Sequence, residues 1–315
     1  MAKALIFGAG GFVGTWLVKE LESHGWEVAC SDRFESPKEG LPGEYYVADL
    51  LDAGRVAEVV STVKPEAVVN LAAVSSVGQS WRAPAVTIEV NVVGALNVLD
   101  AAKALGTCPK VLLVGSSEEY EPSEEPLSED SPLAGNNPYG ISKLTVGEFS
   151  NLYERAGDVR VYRTRSFNHT GPGQAPGFVI PSWCKQAAAF EREGHGGTMR
   201  VGNLWVRRDI SDVRDIVRGY RMLLESDCSG EVFNLGSGIA TPLKEIVETV
   251  ISFSSQDITY EVDSRLIRPA DQPCVWADIS KATHEFGWHP QMPLSLTLQD
   301  VYEFFLSGDK QCALR

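Results

Sequence analysis

The sequence predicts an α/β fold, a doubly wound parallel sheet with a smaller, interleaved C-terminal lobe, and three observations carry that expectation. Short apolar runs alternate with longer amphipathic segments through the first half of the chain, as in a parallel sheet covered on both faces. A glycine-rich turn separates the first apolar run from the first helical segment. Near residue 165 the rhythm breaks into proline- and glycine-rich loops, resumes once, and then turns irregular.

In chain order, the first strand is expected at Lys3–Phe7, followed by a helix over 11–24 and strands over 27–31, 45–47 and 67–71. A long helix over 84–105 precedes a strand over 110–114, and a second long helix over 139–155 precedes a strand over 159–164. The helical segments repeat apolar residues at three- and four-residue steps, one face of a helix. These elements make up a first domain over 1–170. Gly171-Pro172-Gly173 and Pro176-Gly177 then announce a loop. An amphipathic helix over 209–224 and a strand over 231–235 bring 205–238 back to the sheet. Residues 171–204 and 239–307 are expected to form a helical, loop-rich second lobe, with 308–315 as a tail. A cleft between two such parts is where a substrate sits in open α/β proteins.

The 315 residues carry 28 Lys plus Arg against 42 Asp plus Glu, a formal net charge of −14. That balance argues against a general nucleic-acid binder, which needs clustered cations, and the nearest basic cluster is Arg207-Arg208. Apolar residues at 43% and charged residues at 22% are globular values and argue against disorder. The six cysteines, at 30, 108, 184, 228, 274 and 312, show neither a CxxC spacing nor nearby paired histidines, so reduced thiols and no metal site are expected. The first strand begins almost at Met1, and no run approaches eighteen uninterrupted apolar residues. No leader, no membrane span and a cytoplasmic location are therefore the expectation. Cys312-Ala313-Leu314-Arg315 has the outline of a prenylation box, but Arg is not an accepted last residue.

Gly8-Ala9-Gly10-Gly11-Phe12-Val13-Gly14 joins the first strand to the first helix. Glycines let backbone approach a pyrophosphate that a Cβ would exclude, and free N–H groups at a helix start favour negative charge. This is the Rossmann arrangement for a dinucleotide. Asp32, at the end of the second strand, suits an adenosine ribose hydroxyl and repels a 2′-phosphate, whereas Arg33 beside it suits one. The lean is to NAD(H) within NAD(P)(H).

Tyr139 and Lys143 stand four apart on one helix face, so an ammonium can stabilise a phenolate and let Tyr139 exchange protons. Taken alone, such a pair also occurs by chance in many helices. Ser116 and Ser117 end a strand at the carboxyl edge of the sheet, where a hydroxyl can bind a carbonyl oxygen. Glu119 and the acids after it, Glu121, Glu124, Glu125, Glu129 and Asp130, read as a solvated acidic loop. Glu118 is balanced between that reading and a place in the site.

Taken together, Gly8-x-x-Gly11-x-x-Gly14, Asp49-Leu50, Asn70-Leu71-Ala72-Ala73, Asn91-x-x-Gly94, Ser116 and Tyr139-x-x-x-Lys143 resemble the extended short-chain dehydrogenase/reductase superfamily over nearly the whole chain. Within it, the run from Arg165 through Asn168-His169-Thr170-Gly171-Pro172-Gly173 to Gln174 is similar to the GDP-4-dehydro-6-deoxy-D-mannose reductases, relatives of GDP-mannose 4,6-dehydratase. So are Gly177-Phe178-Val179, Val201-Gly202-Asn203-Leu204, the run from Arg208 to Asp215, Arg268-Pro269 and the run from Gly115 to Tyr120.

The resemblance implies a catalytic group of Ser116, Tyr139 and Lys143, with Asn91 supporting the lysine through a hydrogen-bond and water relay. It implies cofactor contacts from Gly8, Gly11, Phe12, Val13, Gly14, Asp32, Arg33, Asp49, Leu50, Leu71, Ala72 and Ala73 besides Tyr139 and Lys143. Asn168, Arg208 and Arg268 match positions that hold a nucleotide diphosphate, a task that suits guanidinium forks. Ser75, Ser117, Val179, Asn203 and Asp271 fall in stretches that line the substrate pocket. The implied substrate is a nucleotide-diphosphate sugar, most simply a GDP-sugar, and the implied assembly is a homodimer through a four-helix bundle of 84–105 and 139–155.

One departure is Glu121, where the family usually has Gly, which makes the pocket rim more acidic. The implied reaction is reduction of the C4 ketone of a 4-keto-6-deoxyhexose. A dehydratase or epimerase is the alternative, because Ser117-Glu118 occupies the positions of the extra acid/base pair. Against a dehydratase, Asn168-His169 is followed by Thr-Gly-Pro-Gly and not by a Glu-Ser-Pro-Arg-Arg-Gly type of segment. A dinucleotide-binding regulator that catalyses nothing is a third reading, disfavoured because such proteins commonly lack the Tyr or the Lys.

Overall fold

The computed structural model describes residues 2–41, 43–267 and 272–308. Its frame is a seven-stranded, fully parallel sheet of β1 (Lys3–Phe7), β2 (Glu27–Asp32), β3 (Glu44–Val47), β4 (Ala67–Asn70), β5 (Lys110–Ser116), β6 (Arg160–Ser166) and a later strand, 232–235. The spatial order is β3-β2-β1-β4-β5-β6 and then 232–235, so the direction of winding reverses between β1 and β4. Successive side chains of a strand face opposite layers: Ala4 and Ile6 pack into one core, Leu5 and Phe7 into the other.

The helices α1 (Phe12–Ser23) and α2 (Ala53–Val63) lie on opposite sides of the sheet, α1 in the first core and α2 in the second. The predicted helix over 84–105 is composite. After α3 (Val77–Arg82), it consists of α4 (Pro84–Ile88), a π-helical turn at Glu89–Val93 and α5 (Gly94–Ala104). By length and composition Pro84–Ala104 would suffice to cross a membrane, but half of it is buried inside the protein, as in a core helix. The second long helix, α6 (Pro138–Ala156), is capped by Asn137 and stopped by Gly157 in a left-handed conformation (φ 75°).

Beyond β6, the short strand β7 (Asn168–Thr170) leads to α7 (Val179–Glu193), β8 (Gly197–Val201) and β9 (Arg207–Asp212). Here the structure corrects the sequence reading. The helix expected from 209 begins only at α8 (Val213–Glu225), and the four residues before it belong to β9. Asp212 is the N-cap, its side chain accepting the Arg214 N–H at 2.7 Å. Moreover β9 pairs with β7, β11 (Ala240–Pro242) and β13 (Cys274–Val275), not with the main sheet. The chain rejoins the main layers at α8, which packs on α1, and at β10 (Val232–Leu235), and not from residue 205.

The segments expected to be helical and loop-rich also hold strands. Besides β11 and β13, they hold β8, which pairs in parallel with β12 (Ile258–Val262). Around them pack α7, α9 (Leu243–Ser252) and α11 (Leu294–Leu306), sharing a separate apolar cluster with Trp183, Val247 and Tyr302. The helix α10 (Ser280–Phe286) returns to the edge strand β10.

Candidate active site

The reversal between β1 and β4 opens a crevice at the carboxyl ends of the strands, where ligands of open α/β sheets bind. The glycine turn lies on its floor. Gly8 has φ 79°, and a Cβ there would stand 2.7 Å from the backbone N of Ala72. A Cβ on Gly14 would run into the Gly8 carbonyl and stand 2.6 Å from that of Ala9, so the helix start packs directly on the turn. Asp32 Oδ2 accepts the Gly10 N–H at 3.2 Å and Oδ1 accepts the Arg33 N–H at 2.8 Å, which fixes its carboxylate beside the turn. Arg33 is exposed, with its guanidinium over the Phe34 ring at 5.1 Å. These residues fit a dinucleotide: a cradle that side chains would fill, free backbone N–H groups at a helix start, and an acid placed for a ribose.

The other predicted cofactor residues follow the carboxyl ends of β1, β3 and β4. Leu71 donates its N–H to Phe7 O at 2.9 Å, and Ala72 to Asn70 Oδ1 at 3.2 Å, which shapes the loop after β4; Ala73 follows in that loop. Asp49 is exposed and Leu50 buried, the latter's carbonyl accepting from Asn97 at 2.7 Å. Phe12 stacks on His169 with ring centroids 6.3 Å apart. His169 donates from Nδ1 to Phe167 O at 2.9 Å, and burial pushes its pKa down, so it is a neutral ring.

Ser116 is the last residue of β5 and opens a 3-10 turn, Ser117–Glu119. Its Oγ accepts the Glu118 N–H at 3.2 Å. Tyr139 and Lys143, on the first turns of α6, reach the same place. The Ser116 hydroxyl interacts with the Tyr139 phenol, while burial, with the charges of Glu119 and Glu118, pushes the phenol's pKa well above its ordinary value. Lys143 donates to Val114 O at 2.8 Å, and its Nζ lies 5.8 Å from the Tyr139 ring centroid. Burial pushes the Lys143 pKa down to about 8, against the pull of the Glu119 carboxylate.

The direct partners of Asn91 lead to Tyr139. From the π-helical turn, its side chain accepts Val74 N–H at 2.7 Å and donates to Val74 O and to Ser142 Oγ, at 3.1 and 2.9 Å. Ser142 Oγ in turn donates to Tyr139 O at 2.7 Å. Asn91 thus steadies the Tyr139 backbone. A π-turn carries one extra residue per turn and is a frequent device at functional sites.

Glu118 is half-buried and accepts from Asn137 Nδ2 at 2.7 Å, while Asn137 Oδ1 caps α6 through the Gly140 N–H at 2.9 Å. Sequence reasoning missed Asn137, although Asn followed by Pro138 is a helix-start signal. It also misplaced Glu119, which is 4% exposed and paired with Arg165 at 3.0 Å. The later acids divide: Glu121 is exposed, whereas Glu129 is half-buried and accepts the Asn234 N–H at 2.7 Å, so it too leaves the solvated loop expected from the sequence.

Among the predicted substrate residues, Ser75, Asn168 and Val179 are exposed, on the loop after β4, on β7 and at the start of α7. Ser117 is half-buried beside Ser116. Asn203 Oδ1 accepts the Trp205 N–H at 3.0 Å, and Arg208 donates to Arg207 O and Gln272 O at 2.9 and 2.7 Å. Arg268 and Asp271 lie outside the described residues. Among the described residues no three His, Cys, Asp or Glu side chains group to hold a metal ion.

Comparison with known proteins agrees with this geometry. Residues 5–301 match the family described as GDP-mannose 4,6 dehydratase. The chain is 30% identical to a GDP-6-deoxy-D-mannose reductase of Pseudomonas aeruginosa over 302 residues, 95% of each chain. It is 31% identical to a UDP-glucose 4-epimerase of Corynebacterium glutamicum over 333 residues, 99% of each. A Pseudomonas aeruginosa protein solved with NADPH superposes with a TM-score of 0.86 at 28% identity, covering 98% of this chain and 99% of that one. The chain therefore belongs to the GDP-mannose 4,6 dehydratase family of the extended short-chain dehydrogenases/reductases, NAD(P)-dependent enzymes that reduce, dehydrate or epimerise nucleotide sugars.

Proposed function

We propose that the chain reduces the C4 ketone of a GDP-linked 4-keto-6-deoxyhexose, the reaction of a GDP-4-dehydro-6-deoxy-D-mannose reductase, with NAD(H) preferred, in the cytoplasm. The observation that carries this reading is the convergence of Ser116, Tyr139 and Lys143 at the end of β5. Similarity to the Pseudomonas aeruginosa reductase supports the choice of sugar. The glycine turn would hold the cofactor's pyrophosphate and Asp32 its adenosine ribose; when bound, the nicotinamide supplies a hydride.

The protein's own part is to bind and protonate the ketone oxygen. Ser116 donates a hydrogen bond to that oxygen, polarising the carbonyl. Tyr139 delivers the proton, and its raised pKa keeps the phenol protonated until charge develops on the oxygen beside it. The Lys143 ammonium stabilises the phenolate that remains. Asn91 and Ser142 hold the Tyr139 backbone in place throughout. Asn168, Arg208 and Arg268 would grip the diphosphate, with Ser75, Ser117, Val179, Asn203 and Asp271 around the rest of the substrate.

A dehydratase is the second reading, favoured by Glu118, whose charge acts on the Tyr139 phenol from the same turn as Ser116. The test is to incubate the protein separately with GDP-mannose, GDP-4-keto-6-deoxymannose and UDP-glucose, each with NADH or NADPH, and to identify products by mass and NMR. Reduction of the ketosugar alone is expected. Loss of water from GDP-mannose, abolished by Glu118→Gln, would install the dehydratase reading; epimerised UDP-glucose would replace both. As a reductase, Glu118→Gln retains activity within about tenfold, since no bond to C5 breaks.

A further inference from the structure

We propose that Glu119, anchored by Arg165, is a positioning residue of the active site: it fixes the backbone of Ser116 and supplies the negative charge that faces Lys143. The inference rests on the catalytic reading above and concerns groups that touch neither substrate nor cofactor. Seven carboxylates fall between residues 118 and 130, and this one leaves the solvent almost completely. Its Oε1 accepts the Ser116 N–H at 2.8 Å and its Oε2 accepts Arg165 Nε at 3.0 Å. With Ser116 Oγ accepting the Glu118 N–H, the two residues close a reciprocal capping box. The orientation of the Ser116 hydroxyl is thereby tied to the Glu119 carboxylate.

Arg165 is held just as firmly. It donates from Nη1 to Tyr120 OH and Glu129 O at 3.1 and 3.0 Å, and lies 4.8 Å above the Tyr120 ring. Tyr120 OH donates onward to Asn234 Oδ1 at 2.6 Å. Both Glu119 oxygens face N–H donors, so the group is a carboxylate. Burial leaves its pKa raised, against the opposing pull of the guanidinium and the Ser116 N–H. Space is reserved for it, because a Cβ on Gly115 would collide with Oε1.

A buried ion pair is a poor investment in stability alone, since apolar residues of similar volume commonly do as well or better. Its charge has a neighbour to act on. The titratable groups that face Tyr139 and Lys143 are Glu118 and Glu119 from the turn and Tyr220 from α8, while Arg163 and Arg165 from β6 face Glu119 itself. Of these, Glu119 pulls Lys143 toward its protonated form.

Glu119→Gln keeps the shape and removes the charge. In the cofactor-free protein, the pH dependence of Lys143 acetylation by acetic anhydride, read by peptide mass spectrometry, should shift its midpoint down by about one pH unit. That is a roughly tenfold change in the protonation equilibrium. The alkaline limb of kcat should move the same way while KM for the sugar changes less than twofold, and Glu119→Asp should restore the limb. Because Glu119→Gln leaves a buried guanidinium unpaired, Glu119→Gln/Arg165→Met removes both charges and should retain the shifted midpoint. An unshifted Lys143 midpoint in either folded variant overturns the proposal. The acetylation readout is independent of which sugar is reduced, so failure of the functional reading remains distinguishable.

Discussion

Two alanine substitutions in the glycine turn separate the protein's own packing from its affinity for the cofactor. In Gly14→Ala the new methyl meets backbone only: the Gly8 carbonyl, Ala9 O at 2.6 Å and Ala9 Cα at 2.7 Å, where ordinary contact begins near 3.4 Å. The turn cannot retreat freely, because Gly8 and Ala9 both donate to Ser31 O, at 2.8 and 3.2 Å, and Gly11 donates to Gly8 O at 3.0 Å. Overpacking of this kind costs about 1–3 kcal/mol, and one strained hydrogen bond adds about 1 kcal/mol. Alanine's better helix propensity offsets about 1 kcal/mol. The net is a loss of about 1–3 kcal/mol, or roughly 2–6 °C in Tm at about 2 °C per kcal/mol for a chain of this size. In Gly11→Ala the methyl meets only Gly8 O, at 3.1 Å, and otherwise points into open space. Its φ of −69° is acceptable to any residue. The cofactor-free Tm should therefore change by less than about 1 °C, while NAD(P) affinity falls at least about tenfold because the methyl occupies the pyrophosphate's approach. Differential scanning fluorimetry without cofactor and calorimetric titration with it read the two effects. A Gly11→Ala protein that binds like wild type, or a Gly14→Ala protein with an unchanged Tm, would refute the reasoning.

Tyr139→Phe removes the transferable proton and keeps the ring, so kcat should fall by roughly 10² to 10⁴ with cofactor binding retained, as measured by steady-state turnover and fluorescence titration. With Lys143 down at about 8, the ammonium is lost as pH rises through that value, so kcat should fall about tenfold per pH unit above it. Lys143→Arg should abolish this fall at lower amplitude. The stability sign is opposite: burial disfavours charged Lys143 in the fold, so its penalty is largest below pH 8 and is relieved between 8 and 10.5. Lys143→Met should therefore stabilise more at pH 7 than at pH 10, as thermal melts will read. Asp32→Ser should improve NADPH use relative to NADH at least about tenfold, judged by the ratio of kcat/KM values. Trp81, Val86, Val93, Ile141, Phe149 and Leu152 are exposed on α3 to α6, the face on which we propose a homodimer, and Leu152→Glu should convert a dimer to a monomer by light scattering.

The places of the glycine turn, Asp32 and Ser116 in the fold were legible because each is set by local chemistry, a turn or a strand end, whereas Tyr139 and Lys143, a helical step of four apart, were singled out only by the family resemblance. What stayed hidden depended on distant partners. Glu119 reads as one more acid in an acidic loop, and only the Arg165 side chain, 46 positions on, removes it from solvent. Asn91 lies in a run with unbroken helical periodicity, and nothing local announces that the turn there is π-helical. The expected helix ran back to 209 because Ile210, Val213 and Val217 keep three- and four-residue steps across the boundary, whereas 209–212 pair as strand with β7 and β11. The signal that could have placed the boundary was Asp212, a preferred N-cap residue.

The acids at 209, 212 and 215 show why one pattern could not distinguish their tasks. Asp212 caps α8 and also binds Arg214 through Oδ2 at 2.7 Å. Asp215, one turn later, accepts the Gln291 and Met292 N–H groups at 3.0 and 2.8 Å and pairs with Arg218 at 2.7 Å, tying α8 to the segment before α11. Asp209 is wholly buried and accepts from Ser237 N and Oγ, Gly238 N and Ala277 N at 2.6 to 3.1 Å. That clamp joins β9 to the loop leaving β10 at the main sheet's edge. Arg208, one residue away on β9, is thus tied to the lateral edge strand β10, two strands from the β5 that carries Ser116. Ser116 pairs with Ser166 across β5 and β6, and β6 pairs with β10. A substrate held by its diphosphate on β9 would meet a hydroxyl on β5 through an unbroken run of strand pairing and one carboxylate. On the proposed reading, the rigidity that orients the reacting carbon would reside in this strand pairing, with the exposed loops around it free to select the sugar.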